Sequence, residues 1–292
     1  MIMALKDKYI NPLTDFGFKK LFGEEVNKEL LIDFLNQLLP QKHLISNLTY
    51  KKSEYLPSNE YDRKAIFDLY CESESGEKFI VEVQRAKQNY FKDRSVYYSS
   101  FPIQQQAVKG NDWNFKLDAV YTIGILDFIF DEDKDDKQYI HTVQLKNQKN
   151  KVFYDKLTYI YIELPKFEKN VESLETKIEK WLYVFKHLAK LQNRPHALQE
   201  KIYEKLFAAA EIAKFSKQER EMYEESLKFY RDIKNVVDTA FDDGKSLGKI
   251  EGKIEGKIEQ NYELAKKLKE KGLPMELIIE VTGLTAEEIE KL

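Results

Sequence analysis

A single cysteine, Cys71, in 292 residues leaves no partner for an intramolecular disulfide and no thiolate set for a structural zinc. The four histidines are scattered without ligand spacing, so any metal bound by this chain is held by oxygen. There is no charge excess. A formal net charge of −3 and a sequence pI of 6.0 lack the global basic footprint of many nucleic-acid binders, so nucleic acid has to be argued from local geometry. Long hydrophobic runs are missing too. Residues 1–8 lack the roughly 7–15 residue apolar core of a signal peptide, and the longest apolar run, 119–130, is too short to span a bilayer and contains Asp127. The expected compartment is the cytoplasm. With 42% hydrophobic and 33% charged residues the chain can still bury a real core, one sizeable domain with a smaller appendage.

The most informative stretch is Ile66-Phe67-Asp68-Leu69-Tyr70-Cys71, a turn at Ser75-Gly76-Glu77-Lys78, and Phe79-Ile80-Val81-Glu82-Val83-Gln84. Aromatic and β-branched residues flank turn chemistry, which predicts a β-hairpin with strands at about 63–72 and 77–85. Alternation puts Glu82 and Gln84 on one face and Val81 and Val83 on the other. A carboxylate among Ile80, Val81 and Val83 is costly to bury without compensation, and a divalent cation shared with Asp68 would supply it. The competing reading puts Asp68 and Glu82 on the solvent face of an edge hairpin. Small basic groups lie near the hairpin in sequence, at Lys51-Lys52, Arg63-Lys64, Arg85 with Lys87, and Lys92 with Arg94. Solvated surface accounts for them as readily as phosphate contact does.

Around the hairpin, residues 1–165 read as an α/β domain. Thr14 or Asp15 caps a helical pattern that ends near Pro40 and is interrupted at Gly23. A strand is expected at 45–55, a helix kinked by Pro102 at 89–109, a buried strand at 119–130, and shorter strands at 141–145 and 157–164. From 166 to 242 the periodicity predicts helices at 171–191, 197–215 and 219–241 that serve as packing elements. Residues 243–292 begin with a repeat that sets Gly244, Gly248, Gly252 and Gly256 four apart, beside Lys, Ile and Glu. On a helix this glycine row invites a second helix, so a homo-oligomer is expected. Two short helices follow, the second opened by a capping box, Thr285 with Glu288.

Asp68-x13-Glu82-x-Gln84 resembles the core of the PD-(D/E)XK nuclease superfamily, with glutamine at the usual lysine position. The segments 11–23, 63–68, Val81-Glu82-Val83-Gln84, 91–95, Tyr98-Ser99, 110–113 and 120–130, together with the repeat tail and Gly272-Leu273-Pro274, are similar in order to the recombination-promoting nuclease and putative transposase family. That resemblance implies a three-layer, restriction-endonuclease-like α/β core with a mixed sheet, followed by an all-helical C-terminal region. It implies a Mg²⁺-dependent (Mn²⁺ as substitute) DNA endonuclease, with DNA as partner and no membrane. Asp68, Glu82 and the Val83 carbonyl would be the metal ligands, Gln84 the residue that orients the attacking water, and Asp15 a further acidic member of the catalytic set. The rival reading is a catalytically weak nuclease fold that acts as a DNA-binding or oligomerising module.

Overall fold

The computed structural model describes residues 7–40, 44–55, 65–107, 114–130, 132 and 136–292. Residues 63–64 of the expected hairpin and the 110–113 motif lie outside them. The chain divides into two compact units, Met1–Lys234 and Asn235–Leu292.

The first unit is built on a six-stranded sheet in the order β1 (Leu48–Tyr50), β4 (Leu69–Ser73), β5 (Lys78–Gln84), β6 (Val120–Leu126), β8 (Val152–Glu163), β7 (Ile140–Lys146). The pairs β5–β6 and β6–β8 are parallel and the others antiparallel, so the sheet is mixed. Two short strands, β2 (Glu54–Tyr55) and β3 (Ala65–Ile66), pair separately.

The central strands are apolar on both faces because both are covered. Phe79, Val81 and Val83 of β5, with Tyr121, Ile123 and Ile125 of β6, join a core with α1 (Asp15–Phe22), α2 (Lys28–Asn36), α4 (Lys177–His187) and α5 (Lys201–Ala210). On the opposite face Ile80 and Tyr70 pack with Phe67, Tyr98 and Phe101, and Leu126, Tyr159 and Tyr161 pack with Phe91. Phe91, Tyr98 and Phe101 belong to α3 (Phe91–Gln104), the third layer. A side chain at Gly124 would stand 3.1 Å from the Tyr161 ring of the neighbouring strand, so glycine leaves room for that ring beneath α3. Pro102 sits inside the last turn of α3, where the helix ends two residues later and little is left to kink.

Thr14 caps α1 by accepting from the Gly17 amide at 3.0 Å, and the helix closes at Gly23, which separates α1 from α2. The turn of the β4–β5 hairpin uses Gly76 at φ +94°. Asp68 itself stands in a bend just before β4.

The helices after residue 165 are shorter than their periodicity predicts, with one exception. Residues 219–241 do not form a separate helix: α6 runs unbroken from Lys217 to Glu270, through the glycine repeat. No proline interrupts that span, and the four glycines, at about 1 kcal/mol each, weaken a helix without breaking it. In the second unit α7 (Met275–Thr282) and α8 (Ala286–Glu290) fold against the end of α6 through Ala265, Ile278, Leu284 and Ile289. The capping box of Thr285 and Glu288 forms as its spacing predicts. Among the described residues no helix is long and apolar enough to cross a membrane.

Trp181 ties α4 to α1, α2 and α5. It is fully buried against Phe22, Phe34 and Tyr203, and its indole N–H donates to Asp33 Oδ2 at 2.8 Å. Trp181→Ala is expected to lower the unfolding free energy by about 3–5 kcal/mol. Urea denaturation would register this as a fall in midpoint with an unchanged slope; a loss under 1 kcal/mol would mean that α4 is peripheral to the fold.

Candidate active site

The site begins with strand register. Leu69 faces Val81 and Tyr70 faces Ile80, and continuing that register sets Asp68 level with Glu82. The ladder stops there, because the Phe67 amide donates to the Ser53 carbonyl at 2.8 Å and draws the backbone away from β5. The Val83 amide, left without a backbone partner, donates to Asp68 Oδ2 at 2.7 Å. A strand residue points its N–H and C=O to the same edge, so the Val83 carbonyl shares the edge that Asp68 occupies. The Gln84 carbonyl turns the other way and accepts from Asp127 N at 2.8 Å.

Glu82 lies beneath α3 and is only 7% exposed. Its Oε2 accepts from Gln84 Nε2 at 3.1 Å and stands 3.7 Å from the Arg94 guanidinium. Its Oε1 is buried and has no hydrogen-bond partner. Burial first, and then the neighbouring Asp68 charge, push its pKa up to about 8, against the pull of Arg94 and the Gln84 amide. Asp68 is raised as well, by burial and by the negative charge of Asp15, while the Val83 amide, Lys19 and Arg85 hold it back. Two carboxyls that both resist ionisation are short of positive charge.

Among the described residues Arg94 is the cation that pairs with Glu82. It reaches Glu82 from the first turn of α3, lying over the Phe91 ring at 5.4 Å and the Tyr98 ring at 5.7 Å. It donates to Gln88 Oε1 through one amino group, and its Nε and other amino group are buried without a hydrogen-bond partner. Unsatisfied buried donors and an unsatisfied carboxylate oxygen in one place mark a site short of a ligand.

Beside this cluster opens a cleft of about 1000 Å³. Asp68, Val83 and Gln84 line it, together with Asp15 and Lys19 of α1 and Arg85 after β5, whereas Glu82 does not reach its wall. The opposite wall is the start of α6, including Met222, Ser226 and Phe229. That wall is fastened to the N-terminal segment. Tyr223 OH accepts from the Asn11 amide at 2.8 Å, Ser226 Oγ from the Phe16 amide at 3.1 Å, and Tyr230 OH donates to Asp127 at 2.8 Å. A helix that reads in sequence as packing alone therefore shapes the cleft. Nothing in its pattern distinguishes this, because the same apolar and hydroxyl residues would serve in any packing helix.

Thr14, not Asp15, takes the cap of α1, and Asp15 is left half exposed at the cleft in an ion pair with Lys19 at 2.8 Å. Among the described residues no three His, Cys, Asp or Glu side chains gather closely enough to hold a metal between them. The donors at hand are two carboxylates and a main-chain carbonyl, all oxygen. That set fits a hard divalent cation, and the orphaned Glu82 Oε1 is the atom it would satisfy. Arg63 and Lys64 lie outside the described residues.

A family model described as PD-(D/E)XK nuclease family transposase matches residues 12–240, more than three quarters of the chain. Comparison with curated proteins and with solved structures finds no match. The matched span contains the mixed sheet, the helices on both its faces and the Asp68, Glu82 and Gln84 cluster at the end of its first hairpin. The chain belongs to the PD-(D/E)XK nuclease family transposases.

Proposed function

We propose that this protein is a divalent-metal-dependent DNA endonuclease that hydrolyses phosphodiester bonds at the cleft beside Asp68. The observation that carries this reading is the buried, unpartnered Oε1 of Glu82, near the end of β5 and close to Asp68, which stands just before β4. Asp68, Glu82 and the Val83 carbonyl would hold Mg²⁺, or Mn²⁺ in its place. When bound, such an ion lowers the pKa of its water and offsets charge on the scissile phosphate. The chain's own residues do the rest. Gln84, fixed through its Nε2 to Glu82, keeps its amide carbonyl free to orient a water toward the phosphate. It brings no charge, and Arg94 supplies the cation that lysine brings elsewhere in the superfamily. Asp15 lies at the cleft mouth, where it adds negative charge to Asp68 and strengthens cation binding.

A second reading is a nuclease fold that binds DNA with little turnover. It is favoured by Gln84, whose amide brings neither the positive charge nor the general base of a lysine to the chemistry. Retarded DNA without metal-dependent nicking by the purified wild type would establish it.

Under the leading reading Asp68→Asn and Glu82→Gln each reduce Mg²⁺-dependent nicking of plasmid DNA by at least about 100-fold, with thermal unfolding still cooperative. Cleavage at wild-type rate in either variant would remove these residues from the chemistry.

Arg94→Met is expected to cut the rate roughly 10–100-fold, with partial rescue in Arg94→Lys. An equal rate in both would reduce Arg94 to a structural contact with its rings.

The raised pKa of Glu82 has a pH signature in metal-free protein. Its carboxyl titrates near 4.5 when unexposed to these effects and near 8 in the folded chain, so between those values the folded state holds the extra proton. The contribution is full below about pH 4.5 and is lost as pH rises through 8. In chelator, the stability of the wild type should therefore fall relative to Glu82→Gln across that window, and saturating Mg²⁺ should flatten the difference. Parallel pH profiles for the two proteins would place Glu82 in an ordinary environment.

A further inference from the structure

The distal half of α6 carries an apolar row that no part of the described chain covers. Val236, Leu247, Ile250, Ile254 and Ile258 are between 48% and 69% exposed. With Ala240 and Asp243 they fall at alternating three- and four-residue steps from 236 to 254, the spacing of a coiled-coil seam, and a last step of four reaches Ile258. All of them lie within the second unit.

The charges beside this row are sorted by sign. At about 100° per residue, Lys253 and Lys257 lie on one flank of the seam and Glu251 and Glu255 on the other, with Lys249 and Glu259 on the same sides but turned further toward the back. Along each flank like charges therefore stand at i and i+4, which weakens a lone helix. Four glycines weaken it further. They drift around to the back of the seam, and nothing lies within 4 Å of where a Cβ would stand at Gly244, Gly248, Gly252 or Gly256. The contact surface is thus the apolar row, and the glycine row faces away from most of it.

We propose that a second copy of this chain docks on this row, with the two helices parallel and in register. Charge complementarity of the segment with itself selects both the occupant and the direction. A two-fold axis along the helices sets the lysine flank of each copy against the glutamate flank of the other, on both sides of the seam. An antiparallel pair sets lysine against lysine and glutamate against glutamate. The parallel pair also relieves the like-charge rows that each helix carries alone. The contact is separate from the nuclease reading, and its test is read in mass and cross-linking, not in cleavage.

The full-length protein should sediment as a dimer, twice the 34.6 kDa chain. Ile250→Asp with Ile254→Asp should give a monomer. Reversing Lys249, Lys253 and Lys257 to Glu should also give a monomer, as should reversing Glu251, Glu255 and Glu259 to Lys, and mixing those two variants should restore the dimer mass. The only native cysteine, Cys71, is buried, so introduced thiols report cleanly. Val236→Cys alone and Ile258→Cys alone should each form a disulfide-linked dimer under mild oxidation. In an antiparallel pair like positions stand roughly 30 Å apart and only a mixture of the two variants would cross-link. Cross-linking confined to that mixture overturns the parallel arrangement. A monomeric wild type, or a dimer insensitive to these substitutions, overturns the proposal, and a monomer that floats with anionic phospholipid vesicles reassigns the row to a lipid surface.

Discussion

The candidate site depends on β4 starting one residue after Asp68. Had the ladder continued, the Val83 amide would be spent on a backbone carbonyl and Asp68 would be an ordinary strand residue. Because Phe67 is drawn toward Ser53, the amide passes to the Asp68 carboxylate, and the Val83 peptide edge is open beside it. One hydrogen bond of 2.7 Å thus fixes where one carboxylate sits relative to the next strand, close enough to act on Glu82. Burial beneath α3 then makes that pair short of positive charge, since neither carboxyl is surrounded by enough donors to ionise freely.

The remainder of the first unit holds that arrangement in place. Buried side chains on one face of β5 and β6 pack on α1, α2, α4 and α5, so the segment after residue 165 is part of the same hydrophobic core as the sheet. On the other face, α3 packs so that Arg94 stands over Phe91 and Tyr98 and reaches Glu82. The start of α6 closes the cleft through hydroxyls bonded to Asn11, Phe16 and Asp127. Arg94 thus reaches the candidate site from a helix, beside a strand residue, Gln84, that carries no charge.

Much of this was legible in the chain. The hairpin, the separation of Glu82 and Gln84 from Val81 and Val83, the break at Gly23, and the capping box at Thr285 all follow from local rules, since alternation, capping and turn chemistry act within a few residues. The parts that were not legible are contacts across long sequence distances. The cap of α1 went to Thr14, which leaves Asp15 at the cleft, and the pattern Thr-Asp permits either. The span 219–241 read as a separate helix because its apolar spacing changes at the glycine repeat, yet backbone hydrogen bonding continues through residues that merely have low helix propensity.

By itself the sequence determined that any metal would have to be held by oxygen, since one cysteine and four scattered histidines offer nothing else, and it determined which face of β5 carries the carboxylate. Side-chain alternation is a property of the strand and needs no partner to be known. Only the tertiary structure decided that Asp68 comes close enough to act on Glu82, that Arg94 stands beside Glu82, and that α6 walls the cleft. Those depend on register, layer spacing and helix packing, which are set by the burial of many residues together and are written at no single position in the chain.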